Sequence, residues 1–207
     1  MLISYSHKFL FVHLYKTAGN SITSALEPYA YRPGSWRLTN WPTWLSTPPR
    51  LLIREKPPKH ASAADLRELI PGEVFETFFK FAFVRNPWDW QLSLYHYILG
   101  QPDDKMFAHV SSLGSFDAYM RWRATTYRTQ SSMICDTTGN SLVDFVGRVE
   151  NVQDDFAEIC RRIGVKVPLE HRNKSRHAHY RECYTDETRE IAARIYAEDI
   201  ERFGYSF

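Results

Sequence analysis

Strand-like runs that lead straight into helical patterns predict a three-layer α/β fold with a mainly parallel sheet, in a single domain spanning 1–207. Three observations carry that prediction. Phe9, Leu10, Phe11, Val12 and Leu14 on one side, and the run Phe78 to Val84 on the other, are nearly continuous apolar stretches, as expected of strands covered on both faces. Each is followed at once by helix-start signals. A chain of 207 residues that is 43% hydrophobic and 15% aromatic has enough apolar side chain for one sizeable core.

The formal charge of +2 is too mild to indicate nucleic acid, so any anion site must be local. Cys135, Cys160 and Cys183 are odd in number and widely spaced, which fits a reducing compartment better than a disulfide framework. No signal pattern opens the sequence and no apolar run approaches bilayer length, so a soluble cytoplasmic protein without a transmembrane segment is expected. No internal repeat or low-complexity tract is visible.

The first strand leads into the small-residue turn Lys16, Thr17, Ala18, Gly19, Asn20, Ser21. Gly19 would let the backbone approach a ligand closely, and Ser21 or Asn20 would cap a helix continuing through Ile22, Ala25 and Leu26. A helix start beyond a strand exposes N–H groups and a positive dipole end, which suits phosphate or sulfate, and Lys16 adds a mobile charge. The lysine precedes the glycine, however, so the phosphate-binding pattern of nucleotide kinases is absent.

Further along, Arg32 to Arg54 is a long segment rich in Trp, Pro and Arg, suited to an acceptor pocket or to a partner subunit. Within it, Leu51 to Ile53 read as a short strand. His60 precedes an amphipathic helix that Pro71 and Gly72 stop. The strand ending at Val84 runs into Arg85, Asn86 and Pro87, with Pro87 opening a helix that carries Trp90 and Ser93 and ends near Gly100. Gln101 to Gly114 reads as loop, and Phe116 to Trp122 as helix. Leu142 to Val149 reads as a strand. A helix opened by Asn151 or Asp154 stops at Gly164, and a last helix starts at Thr185 and continues past Tyr196 to Ile200.

Two anion-suited junctions at strand ends fit a nucleotide phosphorylated at both ends, and here the sequence resembles a known family. HLYKTAGNS is similar to the 5′-phosphosulfate loop, and FVRNPWDWQLSLYHY to the 3′-phosphate motif, of sulfotransferases that use 3′-phosphoadenosine 5′-phosphosulfate. In particular it resembles the carbohydrate group, sulfotransferase family 2, which includes heparan 2-O-sulfotransferases and chondroitin and dermatan enzymes, with bacterial relatives. VGRVENVQDDF and EDIERFGYSF extend it over nearly the whole chain. The second motif departs from the family in one place, with Trp90 where another arginine is common.

The resemblance implies a P-loop-like three-layer fold with a central, mainly parallel sheet flanked by helices. It implies that backbone N–H groups of Thr17, Ala18, Gly19, Asn20 and Ser21 hold the 5′-phosphosulfate, that Lys16 neutralises the leaving oxygen with help from Ser21, and that Arg85 and Ser93 bind the 3′-phosphate. No metal is implied. His60, placed like the family's catalytic histidine, is the candidate base for the acceptor hydroxyl, with Glu55 the substitute. The acceptor is expected to be a glycan or a small alcohol. His171, His177, His179 and Cys183 match no zinc spacing. Asn173, Lys174 and Ser175 lie in a basic loop that could close over the nucleotide or meet an acidic acceptor, and Gln130 is a candidate acceptor contact. A P-loop-like nucleotide or sugar kinase and a non-catalytic nucleotide-binding protein remain the alternatives. Oligomeric state is not legible.

Overall fold

The computed structural model describes residues 1–31, 57–170 and 179–207. The chain divides into two compact units, Met1–Val84 with Ser132–Arg172, and Arg85–Ser131 with Asn173–Phe207.

The first unit is built on a four-stranded sheet in the order β1 (Leu2–Ser4), β2 (Phe9–Val12), β3 (Phe79–Val84), β4 (Phe145–Arg148). β1 pairs antiparallel to β2, Leu2 opposite Phe11, whereas β2, β3 and β4 are parallel. The mixed, mostly parallel open sheet flanked by helices is the expected fold class. β1 was not anticipated, because three residues are too few for a periodic pattern. Phe9, Phe11, Phe81 and Phe83 alternate along their strands and so share one face. There they form a core with Ile22 and Leu26 of α1 (Gly19–Leu26) and Phe156, Ile159 and Ile163 of a later helix. Each side chain buried in this way contributes about 1.5–3 kcal/mol.

On the other face Lys80 is buried, with Nζ donating to the Phe78 carbonyl, pairing with Asp144 at 3.0 Å and lying 5.4 Å over the Phe75 ring. Phe75 belongs to α3 (Gly72–Thr77), which follows α2 (Ala63–Leu69). α2 begins with a reciprocal cap between Ser62 and Asp65. The strand expected over Leu142 to Val149 is shorter, because Asp144 turns back to the start of β3, its N–H donating to the Lys80 carbonyl.

The second unit is helical. α4 (Pro87–Leu99) is followed by α5 (Phe107–Ser112), inside the stretch expected to be loop, then α6 (Phe116–Thr126) with Ser115 as its cap. One turn, α7 (Ser131–Ile134), returns the chain to the first unit. There α8 (Val152–Ile163), with acids in its first turn and Arg161 and Arg162 in its last, ends at Gly164 with φ 70°.

The expected last helix is two, α9 (Asp186–Ile195) and α10 (Ala197–Phe203). Tyr196, at φ −110°, breaks the helix between them, its buried ring edge-on to Trp90 at 5.7 Å. Trp90 is itself fully buried, so this family departure is a core substitution.

Candidate anion site and the family it identifies

β2 ends at Val12, and the next nine residues build the first unit's site. Thr17 is buried and its hydroxyl donates to the Leu14 carbonyl at 3.0 Å, closing the turn on itself. On either side of it Lys16 and Ala18 adopt left-handed backbone, φ 63° and 59°. Side chains with a Cβ pay about 1–2 kcal/mol for that conformation, and such strain gathers at functional turns. α1 then starts at Gly19 with no side-chain cap and no acidic residue in its first turn. The expected capping by Ser21 or Asn20 does not occur, since both lie inside the helix and Ala18 holds the cap position. A helix start of this kind keeps its first N–H groups and its dipole available to an anion.

The structure brings His60 to this turn. Its Nδ1 lies 2.9 Å from the carbonyl oxygen of His13. A carbonyl can only accept, so Nδ1 carries the proton and Nε2 is the basic nitrogen. Burial holds the His60 pKa below 6.5, opposed by the hydrogen bond to His13 and assisted by Lys59 and the Met1 amino group. The imidazole is thus neutral near pH 7.

Two residues that the sequence did not single out complete the site. Lys59 Nζ donates to Asn20 Oδ1 at 3.1 Å, bringing a second positive charge to the turn. His13, only 3% exposed, lies flat on Phe11 at 5.5 Å and edge-on to His60 at 4.7 Å. Burial first, then the Met1 amino group, His60 and Lys59, pushes the His13 pKa down to about 3, so it too is neutral. A polar residue at the end of an otherwise apolar strand was the available signal for His13. Nothing in the sequence distinguished Lys59.

Arg85 and Ser93 belong to the second unit. Asn86 caps α4, accepting from Trp88 N–H at 3.1 Å and donating to the Ser206 carbonyl at 2.9 Å. Arg85, just ahead of the Asn86 cap, donates from Nε to Asp89 at 2.7 Å, and Ser93, buried, follows Asp89 by one turn of α4, so Asp89 and Ser93 share one side of the helix. Gln130 holds the Arg85 backbone from both sides: its Oε1 accepts from the Arg85 N–H at 2.8 Å, and its Nε2 donates to the Arg85 carbonyl at 2.8 Å. Gln130 is fully buried, which corrects its expected role as an acceptor contact.

Asp199 supports this in turn. It accepts from the Gln130 N–H, the Ser131 N–H and the Ser131 hydroxyl at 2.6–2.8 Å. Burial raises its pKa, and the three donors pull it back.

The Arg32 to Arg54 segment, Leu51 to Ile53, Glu55, His171, Asn173, Lys174, Ser175 and His177 lie outside the described residues. His179 caps a short turn through Arg181 N–H, and among the described residues no group of three or more His, Cys, Asp or Glu is arranged to hold a metal. No described helix is long and apolar enough to cross a membrane.

One unit therefore offers an uncapped helix start, two lysines and a neutral histidine with a defined basic nitrogen. The other offers an arginine ahead of a helix start and a buried serine on that helix. Groups of these kinds are able to hold an anion and to accept a proton. No curated protein matches the chain. A family model does, over residues 1–206, and the chain belongs to the sulfotransferase family.

Proposed function

We propose that the protein transfers a sulfuryl group from 3′-phosphoadenosine 5′-phosphosulfate to a hydroxyl of a carbohydrate. The observation that carries this reading is the hydrogen bond from His60 to the His13 carbonyl, which joins a proton acceptor to a turn suited to an anion. The donor set fits a phosphosulfate group: α1 begins without a cap or a carboxylate, and Lys16 and Lys59 supply charge beside it.

In this reading His60 Nε2 takes the proton of the acceptor hydroxyl as its oxygen bonds to sulfur. Lys16, Lys59 and the N–H groups of Thr17 to Ser21 stabilise the negative charge that gathers on the departing phosphate oxygen. When bound, the donor supplies the activated sulfuryl group, and the chain's task is alignment and charge stabilisation. Arg85 and Ser93 take the 3′-phosphate, with Asp89 and Gln130 orienting Arg85. Cys135, Cys160 and Cys183 stand outside any disulfide, which favours a cytoplasmic setting.

The test is incubation with radiolabelled phosphosulfate donor and a panel of oligosaccharides and small alcohols. Label on an oligosaccharide is the expected result. Label confined to small alcohols would correct the acceptor class, and no label on any acceptor, with no binding of 3′-phosphoadenosine 5′-phosphate by calorimetry, would reject the reading.

A further inference from the structure

His13 has no chemical step in the proposed reaction, yet it meets several parts of the first unit's site. Its carbonyl accepts a hydrogen bond from His60 Nδ1–H, and its ring meets the His60 ring edge-on. Gly19 also lies against that ring. A Cβ built on Gly19 would fall 1.9 Å from His13 Nε2 and 2.1 Å from its Cδ2, far inside any non-bonded contact. Gly19 is not among the glycines with positive φ, so its backbone is one that any residue accepts. Its missing side chain therefore leaves the room that the His13 ring occupies.

A ring that merely filled this space would be better apolar, since burying an imidazole has a desolvation cost. Its neutrality across the working range means that it neither carries a proton nor repels a cation. What it does is join three places: the floor of the sheet at Phe11, the first residue of α1, and the imidazole of His60.

We propose that His13 is the positioning residue of this site: its ring, seated where Gly19 has no side chain, holds the start of α1 and the base His60 in one fixed arrangement. This rests on the reading of His60 as the base and of the turn as the donor's anion site. Among the described residues, the charged and titratable groups that face His60 are Lys59 beside it, the Met1 amino group ahead of β1 and His13 just past the end of β2, with the Tyr15 ring 6.2 Å away.

The experiment compares Gly19→Ala, His13→Ala and the double variant. It reads calorimetric affinity for 3′-phosphoadenosine 5′-phosphate, the tautomer of His60 by imidazole nitrogen NMR, and the pH profile of kcat. Gly19→Ala is expected to weaken the nucleotide by about tenfold or more, since the added methyl displaces the ring and the turn with it. The double variant should recover affinity to within about threefold of His13→Ala, because the space is then free. His13→Ala should convert His60 from its Nδ1–H form to a mixture with Nε2–H, lower kcat by about tenfold, and move the acid limb of its profile up toward 6.5 as water reaches the ring.

Equal affinity loss in Gly19→Ala and in the double variant, or an unchanged His60 tautomer in His13→Ala, would overturn the proposal. If alanine at 13 unfolds the protein, His13→Leu keeps the apolar bulk, and the tautomer readout decides in the same way. Undiminished turnover in His60→Ala would reject the base assignment alone, because neither the affinity rescue nor the tautomer depends on turnover.

Discussion

Two helix starts in this protein solve the same electrostatic problem in opposite ways. α4 satisfies its own beginning: Asn86 caps it, Pro87 fills the first position where no N–H is needed, and Asp89 stands in its first turn. Ahead of that cap stands Arg85, the proposed anion-binding side chain, whose guanidinium is already oriented by Asp89 and whose backbone is clamped by Gln130. α1 has no side-chain cap and no acid, and it is entered through two left-handed residues. A helix whose start is completed internally contributes rigidity, and one left incomplete contributes a binding surface at the expense of local strain.

Substitutions break that comparison in graded ways. Lys16→Ala removes a positive charge from the uncapped start, and kcat should fall by about 10³ with native folding retained by circular dichroism. Loss confined to KM would place Lys16 in ground-state binding only.

His60→Ala should lower kcat by about 10² or more and leave affinity for 3′-phosphoadenosine 5′-phosphate nearly unchanged. The wild-type acid limb adds a sign. His60 must be neutral to accept a proton and its pKa is held below 6.5, so activity should persist as pH falls to 6.5 and decline only below it. A decline beginning above 6.5 would show a base with a raised pKa and contradict the site's electrostatics.

At the capped start the effect falls on binding. Arg85→Lys keeps the charge but loses the planar fork, and should weaken the same nucleotide by about tenfold in calorimetry with kcat little changed. The smallest effect sharpens the contrast directly. Ala18→Gly relieves left-handed strain and should raise unfolding stability by about 1 kcal/mol, whereas Asn86→Ala should lower it by about the same amount, both by urea titration. Ala18→Gly with no gain would mean that the turn is not strained.

Much of this was legible in advance wherever the information is local. The aromatic run of β3, the proline that opens α4, and Gly164 closing α8 are readable because periodicity and cap chemistry depend on neighbours in the chain. Lys16 and Arg85 stood out because a cation beside a strand-to-helix junction is a local pattern. α5 was missed because six residues from Phe107 to Ser112 carry too little periodicity to separate helix from loop. The break at Tyr196 was missed because its cause is the fold around the buried Tyr196 and Trp90 rings, not the helix's own sequence.

The order of residues by itself determined the parallel α/β plan, the two charged junctions and the likeness to sulfotransferases, since strand alternation and turn chemistry act over a few positions. Tertiary structure alone decided that His60 shows Nε2 as its basic nitrogen, that a side chain at Gly19 would meet the His13 ring, that Lys59 reaches Asn20, and that Gln130 and Asp199 brace Arg85. Those contacts join residues up to 69 positions apart. Such pairs meet only after the sheet and helices have packed, so a hydrogen bond between them leaves no periodic trace in the chain.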